Sequence, residues 1–345
     1  MKKKLSICLI VLLSLVLVYG FADAKVTGRC DKCHTMHNSQ NNAPMAKANG
    51  GGDSTTPFGH LTRASCVGCH NGLVTGSGAP NIFGTPGTDM TAGGTFKTTV
   101  VDAAAGDYHK VHNVRDIGWT REESELLNAT PGAESGGYTE PAGATQLTCA
   151  GTLGCHGDHT LAGSDAGIRG FHHGWKAGYR YLQFYDGSTS TAIQGKGSSN
   201  WELGGATAGN HNVYFAMAGT GGTTNDSINA LCSLCHGDFH GTDDVKSGSN
   251  WIRHPTENLL SDASGWTMAS VTVDYENNPF SFNGAEYAAA TTGTAYTTTG
   301  ARVACISCHR AHGTPNNDIL RWDYATMVAG GAGTTGCLGC HHLQR

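Results

Sequence analysis

The sequence predicts a chain of mostly loop and coil, with short α-helices and a few short β-strands folded around something other than its own side chains. Three observations predict this. Fifty of the 345 residues are glycine and only 14% are charged, and a chain so rich in Gly, Thr, Ser and Asn has weak helix and strand propensity. Its central stretches, such as "NGLVTGSGAPNIFGTPGTDM" and "AATTGTAYTTTGAR", hold turn residues in place of long apolar periodicity. Beyond residue 24, twelve cysteines fall into six pairs, and histidine follows every pair at once. Apolar burial alone would struggle to offset the ordering entropy of such a chain.

The first 24 residues read as a secretory signal, with three lysines, an apolar run and the cleavage site Ala22-Asp23-Ala24. The run from Leu5 to Val18 is 14 residues, short of the roughly 18 needed to span a bilayer, so cleavage is expected rather than anchoring. Cys8 leaves with it. The expected product is a single exported domain, residues 25–345. Removing Lys2, Lys3, Lys4 and Asp23 takes the totals from 22 basic and 27 acidic to 19 and 26, a net charge of −7. That balance argues against nucleic acid as a partner.

Export makes disulfides the default expectation for cysteines. The spacing says otherwise. Five sites are Cys-x-x-Cys-His: Cys30, Cys33 and His34; Cys66, Cys69 and His70; Cys232, Cys235 and His236; Cys305, Cys308 and His309; Cys337, Cys340 and His341. This is the c-type haem attachment signature. Two thiols add across the two vinyl groups of a porphyrin, and the adjacent imidazole reaches the iron from one face. Zinc sites do not require that histidine, and a thioredoxin-like redox pair would come once, within a βαβ pattern absent here.

The remaining site has five residues, "AGTLG", between Cys149 and Cys155. Its two glycines allow an outward loop with both sulfurs still in reach. A disulfide, or attachment through Cys155 alone, is the alternative. Because His156 keeps its place, the site is read as a sixth doubly attached haem. The expected fold is therefore a multihaem cytochrome c, its short helices starting at the cysteine sites and its core a chain of closely packed haems.

Twelve histidines remain beyond the six proximal ones, enough to give every iron a second imidazole with six to spare. His37, His159 and His312 lie three residues past a proximal histidine and His240 four past, a spacing that shares one helical face. Axial ligands approach from opposite faces, so each of these points toward a neighbouring haem. His112 and His254 complete the expected set, with His109 and His211 in second rank; all four lie in long gaps beside apolar residues. His60, His172, His173 and His342 are read as surface or propionate-contacting groups. Met36 and Met217 sit near sites, but the surplus of histidine makes methionine ligation unnecessary.

No Cys-x-x-Cys-Lys site marks an open iron position, and no separate catalytic constellation is present. Saturated, closely spaced haems point to electron transfer, not enzymatic turnover. "CHTMHNSQ", "CSLCHGDFH…WIRHP", "CISCHRAHGTPNNDILRW" and "GCLGCHHLQR" resemble the corresponding stretches of the OmcS-type hexahaem outer-surface cytochromes of metal-respiring bacteria. The likeness covers the haem sites, their order and their flanking histidines; the long gaps match poorly, and the spacing of the third site departs from the regular one. It implies a cell-surface or extracellular filament with an unbroken line of haems, exchanging electrons with redox partner cytochromes and extracellular acceptors. It also implies that His37 ligates the fifth haem (Cys305, Cys308, His309) of the next subunit. A monomeric periplasmic carrier is the alternative, and a reductase with one open haem the third reading.

Overall fold

Three of the six cysteine motifs each start a short α-helix. The computed structural model describes residues 29–40, 42–48, 52–72, 79–97, 99–101, 108–118, 146–197, 211–216, 225–241, 253–256, 259–260, 278–282, 300–328 and 336–341. The expected signal, residues 1–24, lies outside them, as do Met217 and His342. Among the described residues the α-helices are α1 (Cys66–Cys69), α2 (Ser164–Gly167), α3 (Ile228–Ser233), α4 (Cys305–Cys308) and α5 (Cys337–His341). None of these is long and apolar enough to cross a membrane.

A Cys-x-x-Cys pair spans about one helical turn, which brings both thiols to one side. Hence α1, α4 and α5 begin at their first cysteine. Ser65 caps α1, its hydroxyl accepting from Gly68 N at 3.2 Å. At α4 the cap residue is Ala304, which has no side-chain oxygen; instead the Ser307 hydroxyl accepts from Ala304 N at 2.9 Å. Three sites depart from the expected helix start. The first is a 3-10 turn, Cys30–Lys32, and the fourth lies in α3, which starts earlier because the buried Ser227 caps Ala230 N at 3.0 Å.

The third site is not helical at all. Five intervening residues cannot close one turn, so the chain loops round and runs on beside itself: Thr148–Ala150 pairs in parallel with Gly154–His156, setting Thr148 beside Gly154 and Ala150 beside His156. Gly151 opens the loop at φ +89, a left-handed conformation that glycine adopts without steric cost.

Other strands are equally short. They include the hairpin of Ser39–Gln40 with Ala43–Pro44 beside the first site, the pair Gln183–Tyr185 with Ser190–Ala192, and a three-stranded sheet of Gly195–Lys196, Val213–Phe215 and Ser281–Phe282. Among the described residues the chain is mostly coil with brief helices and strands, as predicted. Among the described residues the buried apolar side chains form three separate small clusters. The largest, around Tyr179, Phe184, Ile193 and Tyr214, packs α3 against α4 through Ile228, Ala230, Ala304 and Ile306. The fully buried Asn229 strengthens that join, its Oδ1 accepting from Cys305 N at 2.9 Å and its Nδ2 donating to Thr256 O at 3.2 Å.

Candidate haem-binding sites

Five of the six proximal histidines face a second histidine across a gap of nearly constant width. Ring centres lie 6.0 Å apart for His34 and His173, 6.5 Å for His70 and His172, and 6.3 Å for His156 and His312. The distance is 6.2 Å for His236 and His112, and 6.1 Å for His341 and His254. Two imidazoles on opposite sides of one metal, each bonded at about 2.0 Å, place their ring centres roughly 6 Å apart. The residues therefore fit haem. All twelve described cysteines are free thiols, so the disulfide alternative is not realised at any site. Among the described residues no three His, Cys, Asp or Glu side chains gather as a zinc site would require.

The proximal rings are held for ligation. Nδ1 of His34 bonds His60 O at 3.2 Å, that of His70 bonds Pro80 O at 3.0 Å, that of His156 bonds Arg180 O at 2.8 Å and that of His309 bonds Asp318 O at 2.7 Å. Across from His236, Nδ1 of His112 bonds Ala311 O at 2.6 Å. With Nδ1 donating to a carbonyl, Nε2 is left as the bare ligand nitrogen. Burial holds His156 down to about 4, and His172 likewise, with neighbouring histidines adding to the effect. Neutral imidazole, the form that binds a metal, is thus favoured at neutral pH.

Sites 1, 3 and 5 share one backbone cradle that the sequence did not disclose. In each, two consecutive residues adopt left-handed φ: His60 and Leu61 at 58° and 54°, Arg180 and Tyr181 at 54° and 63°, Asp318 and Ile319 at 57° and 49°. The first residue's carbonyl takes the proximal Nδ1. The second residue's carbonyl takes the amide just after the proximal histidine: Thr35 N to Leu61 O at 2.8 Å, Gly157 N to Tyr181 O at 2.7 Å, Arg310 N to Ile319 O at 3.0 Å. Bulky residues rarely hold this conformation, and an Ile there is a steric outlier. Three occurrences at three equivalent sites make it an internal repeat.

The sites follow one another in chain order. Cys69 lies beside Cys33, the Cys66 thiol is within hydrogen-bonding reach of Cys149, and His70 is a neighbour of His156. His312 neighbours His112, and His309 neighbours His236. The Cys232 thiol reaches Cys305, while burial pushes Cys308 up to about 12 with Cys337 and Cys340 next to it.

Of the histidines expected as second ligands, His112, His254 and His312 stand in these pairs; His37, His159 and His240 do not, nor do His109 and His211. His37 is exposed. His159 is buried, with Nε2 lacking a hydrogen-bond partner. The His211 ring bonds Asn212 O at 2.7 Å, His109 is exposed, and the half-buried His240 receives Arg253 on its carbonyl at 2.7 Å. His172 and His173, expected at the surface, stand opposite sites 2 and 1. The two adjacent rings face different proximal histidines, so the dipeptide "HH" can serve two neighbouring sites, and that was the available signal.

At the third site the turn geometry predicts a measurable effect. A Cβ on Gly151 would lie 2.6 Å from Leu161 O and 2.7 Å from Gly163 O, at a positive φ. Gly151→Ala should cost about 1 kcal/mol in backbone strain before any clash is counted. Intact mass of that variant is expected to show a population lacking one haem, with the loss mapping to the peptide bearing Cys149 and Cys155.

Fold and sites together define a multihaem c-type cytochrome. The doubled CXXCH motif family matches residues 299–345, the stretch that holds the fifth and sixth sites. The chain is 25% identical to the C-type cytochrome OmcS of Geobacter sulfurreducens over an alignment of 414 positions that covers 97% of this chain and 88% of that protein. Its fold is similar to that in a cryo-EM structure of OmcS nanowires from Geobacter sulfurreducens, with a TM-score of 0.50 at 19% identity, covering 94% of this chain and 92% of the other.

Proposed function

We propose that this chain is an exported electron carrier with six covalently attached bis-histidine haems, which polymerises head to tail into filaments that conduct electrons to extracellular acceptors. Haem supplies a reversible one-electron couple, and the protein holds, orients and spaces it. The cysteine pair and proximal histidine of each site would fix each group. His173, His172, His312, His112 and His254 would supply the second imidazole at sites 1, 2, 3, 4 and 6. This pairing replaces His159 and His240, which the spacing alone favoured.

One observation supports the filament above all. Among the described residues His309 has no histidine opposite it, although its Nδ1 is anchored like the others. His37 is exposed and opposes none of the proximal rings. The vacancy at one site and the spare ligand at another fit each other across two copies, as the OmcS resemblance implies for His37. Redox partner cytochromes and extracellular acceptors are the further partners of this reading, and the cell surface its location.

Intact mass tests the haem count. The secreted protein is expected to exceed its polypeptide mass by six haems, and electron microscopy of the same material should show filaments. A monomer with all six irons low-spin would instead favour the periplasmic carrier, and an open iron in the assembled form would favour a reductase.

A further inference from the structure

One short stretch, His309 to Thr314, serves three sites at once. His309 is the proximal histidine of site 5, and His312 stands opposite His156 at site 3. Ala311 O takes Nδ1 of His112, which stands opposite His236 at site 4. Two segments far away in sequence close over this stretch. His312 N donates to Gly93 O at 2.6 Å and Thr95 N to Gly313 O at 2.9 Å, while His112 N donates to His312 O at 3.1 Å and Thr314 N to Lys110 O at 2.9 Å. The three segments meet backbone to backbone. A Cβ on Gly94 would lie 2.1 Å from Gly313 O, and one on Gly313 would lie 2.8 Å from Thr95 O and 2.9 Å from Lys110 O.

The His312 ring has no polar anchor of its own. Nδ1 of His34, His70, His156, His309 and His112 bonds a carbonyl, whereas the buried Nδ1 of His312 has no hydrogen-bond partner. Its attitude is set instead by Gly93, where a Cβ would come within 3.0 Å of the ring, and by Phe96, stacked on it at 4.7 Å. Both lie on the segment that Arg310 pins. Arg310 is 2% exposed, and its Nη1 donates to Ala92 O at 3.0 Å and reaches Thr91 O at 3.4 Å. Burying a guanidinium is costly unless its donors are met, so the side chain and the two carbonyls hold each other in place.

We infer that Arg310 is a positioning residue for two irons: through residues 91–96 it seats His312 at site 3, and through the backbone of Ala311 and His312 it seats His112 at site 4. The inference rests on the ligand pairing proposed above. Ligation at the two sites is then kept or lost together, because the backbone that carries one second ligand anchors the other. Site 5 keeps a separate hold. Nδ1 of His309 bonds Asp318 O and Arg310 N bonds Ile319 O, neither of which involves the Arg310 side chain.

The test counts high-spin ferric irons above the wild-type number by paramagnetic resonance, in secreted protein whose haem content matches the wild type. Arg310→Leu should open two irons. His312→Ala and His112→Ala should open one each, and either of them combined with Arg310→Leu should still give two, which assigns the pair to sites 3 and 4. Arg310→Lys keeps the charge and a donor, and should recover at least half of the low-spin signal that Arg310→Leu loses; filling the space alone would not do so. If Arg310→Leu loses haem, Arg310→Gln replaces it, with the same two irons expected at a smaller fraction. One open iron, none, or a third in the combined variants would overturn the shared seat and leave the pairing intact. His312→Ala with no iron opened would remove the pairing itself.

Discussion

His37→Ala is expected to leave six haems attached, abolish filaments and give monomers with one high-spin iron, at the site of Cys305, Cys308 and His309. The physical basis is that His37 is held outward rather than left to drift. Its neighbour Asn38 is buried, accepting from Met45 N at 3.2 Å and Ala46 N at 2.6 Å and donating to Ser54 O at 2.8 Å. His37 and Asn38 both hold left-handed φ, 56° and 55°, so the backbone presents the imidazole in a strained but fixed attitude. Fixing the ligand in advance reduces the ordering cost of the contact. Mass spectrometry, electron microscopy and the ferric spin-state spectrum check the three parts separately. Persisting filaments with a wholly low-spin spectrum would contradict the role given to His37.

The second large effect distinguishes two sets of histidines. His172→Ala and His173→Ala should each convert one iron to high-spin, at sites 2 and 1 respectively, whereas His159→Ala and His240→Ala should convert none. The ring pairs at 6.0 and 6.5 Å are the ground for the first expectation. Burial at His159 makes its loss a packing defect, felt as lowered stability with the spin state unchanged. Resonance Raman or paramagnetic resonance spectra of the four variants decide between the sets. High-spin iron in the His159 variant with none in the His172 variant would reverse the pairing.

These two results bear on what could be read from residues alone. Haem attachment was legible because it is local: the thiols and the proximal imidazole must be near neighbours in sequence whatever the fold. The coil-rich architecture followed from the same motifs and from glycine content. The proposed second ligands are different, because they close over long sequence separations. His156 meets His312 and His236 meets His112, and no local spacing records either join. The histidine three residues on could be excluded from its own haem, but its destination depended on how distant segments stack. The "HH" dipeptide at His172 and His173 was read as a surface or propionate-contacting feature, since no local spacing ties it to a haem site. The cradle was invisible for another reason: His60-Leu61, Arg180-Tyr181 and Asp318-Ile319 share a conformation and no residue type, since it is their carbonyls that serve.

The central claim is that every proximal histidine finds its partner within the chain except His309, which takes His37 of another copy. The ferric spin state of one preparation, measured as filaments and again after dissociation into monomers, tests it most directly. All irons should be low-spin in the filament, one in six should become high-spin on dissociation, and reassembly should restore the original spectrum. Dissociated monomers with six low-spin irons would contradict the account, because His309 would then have its ligand within its own chain.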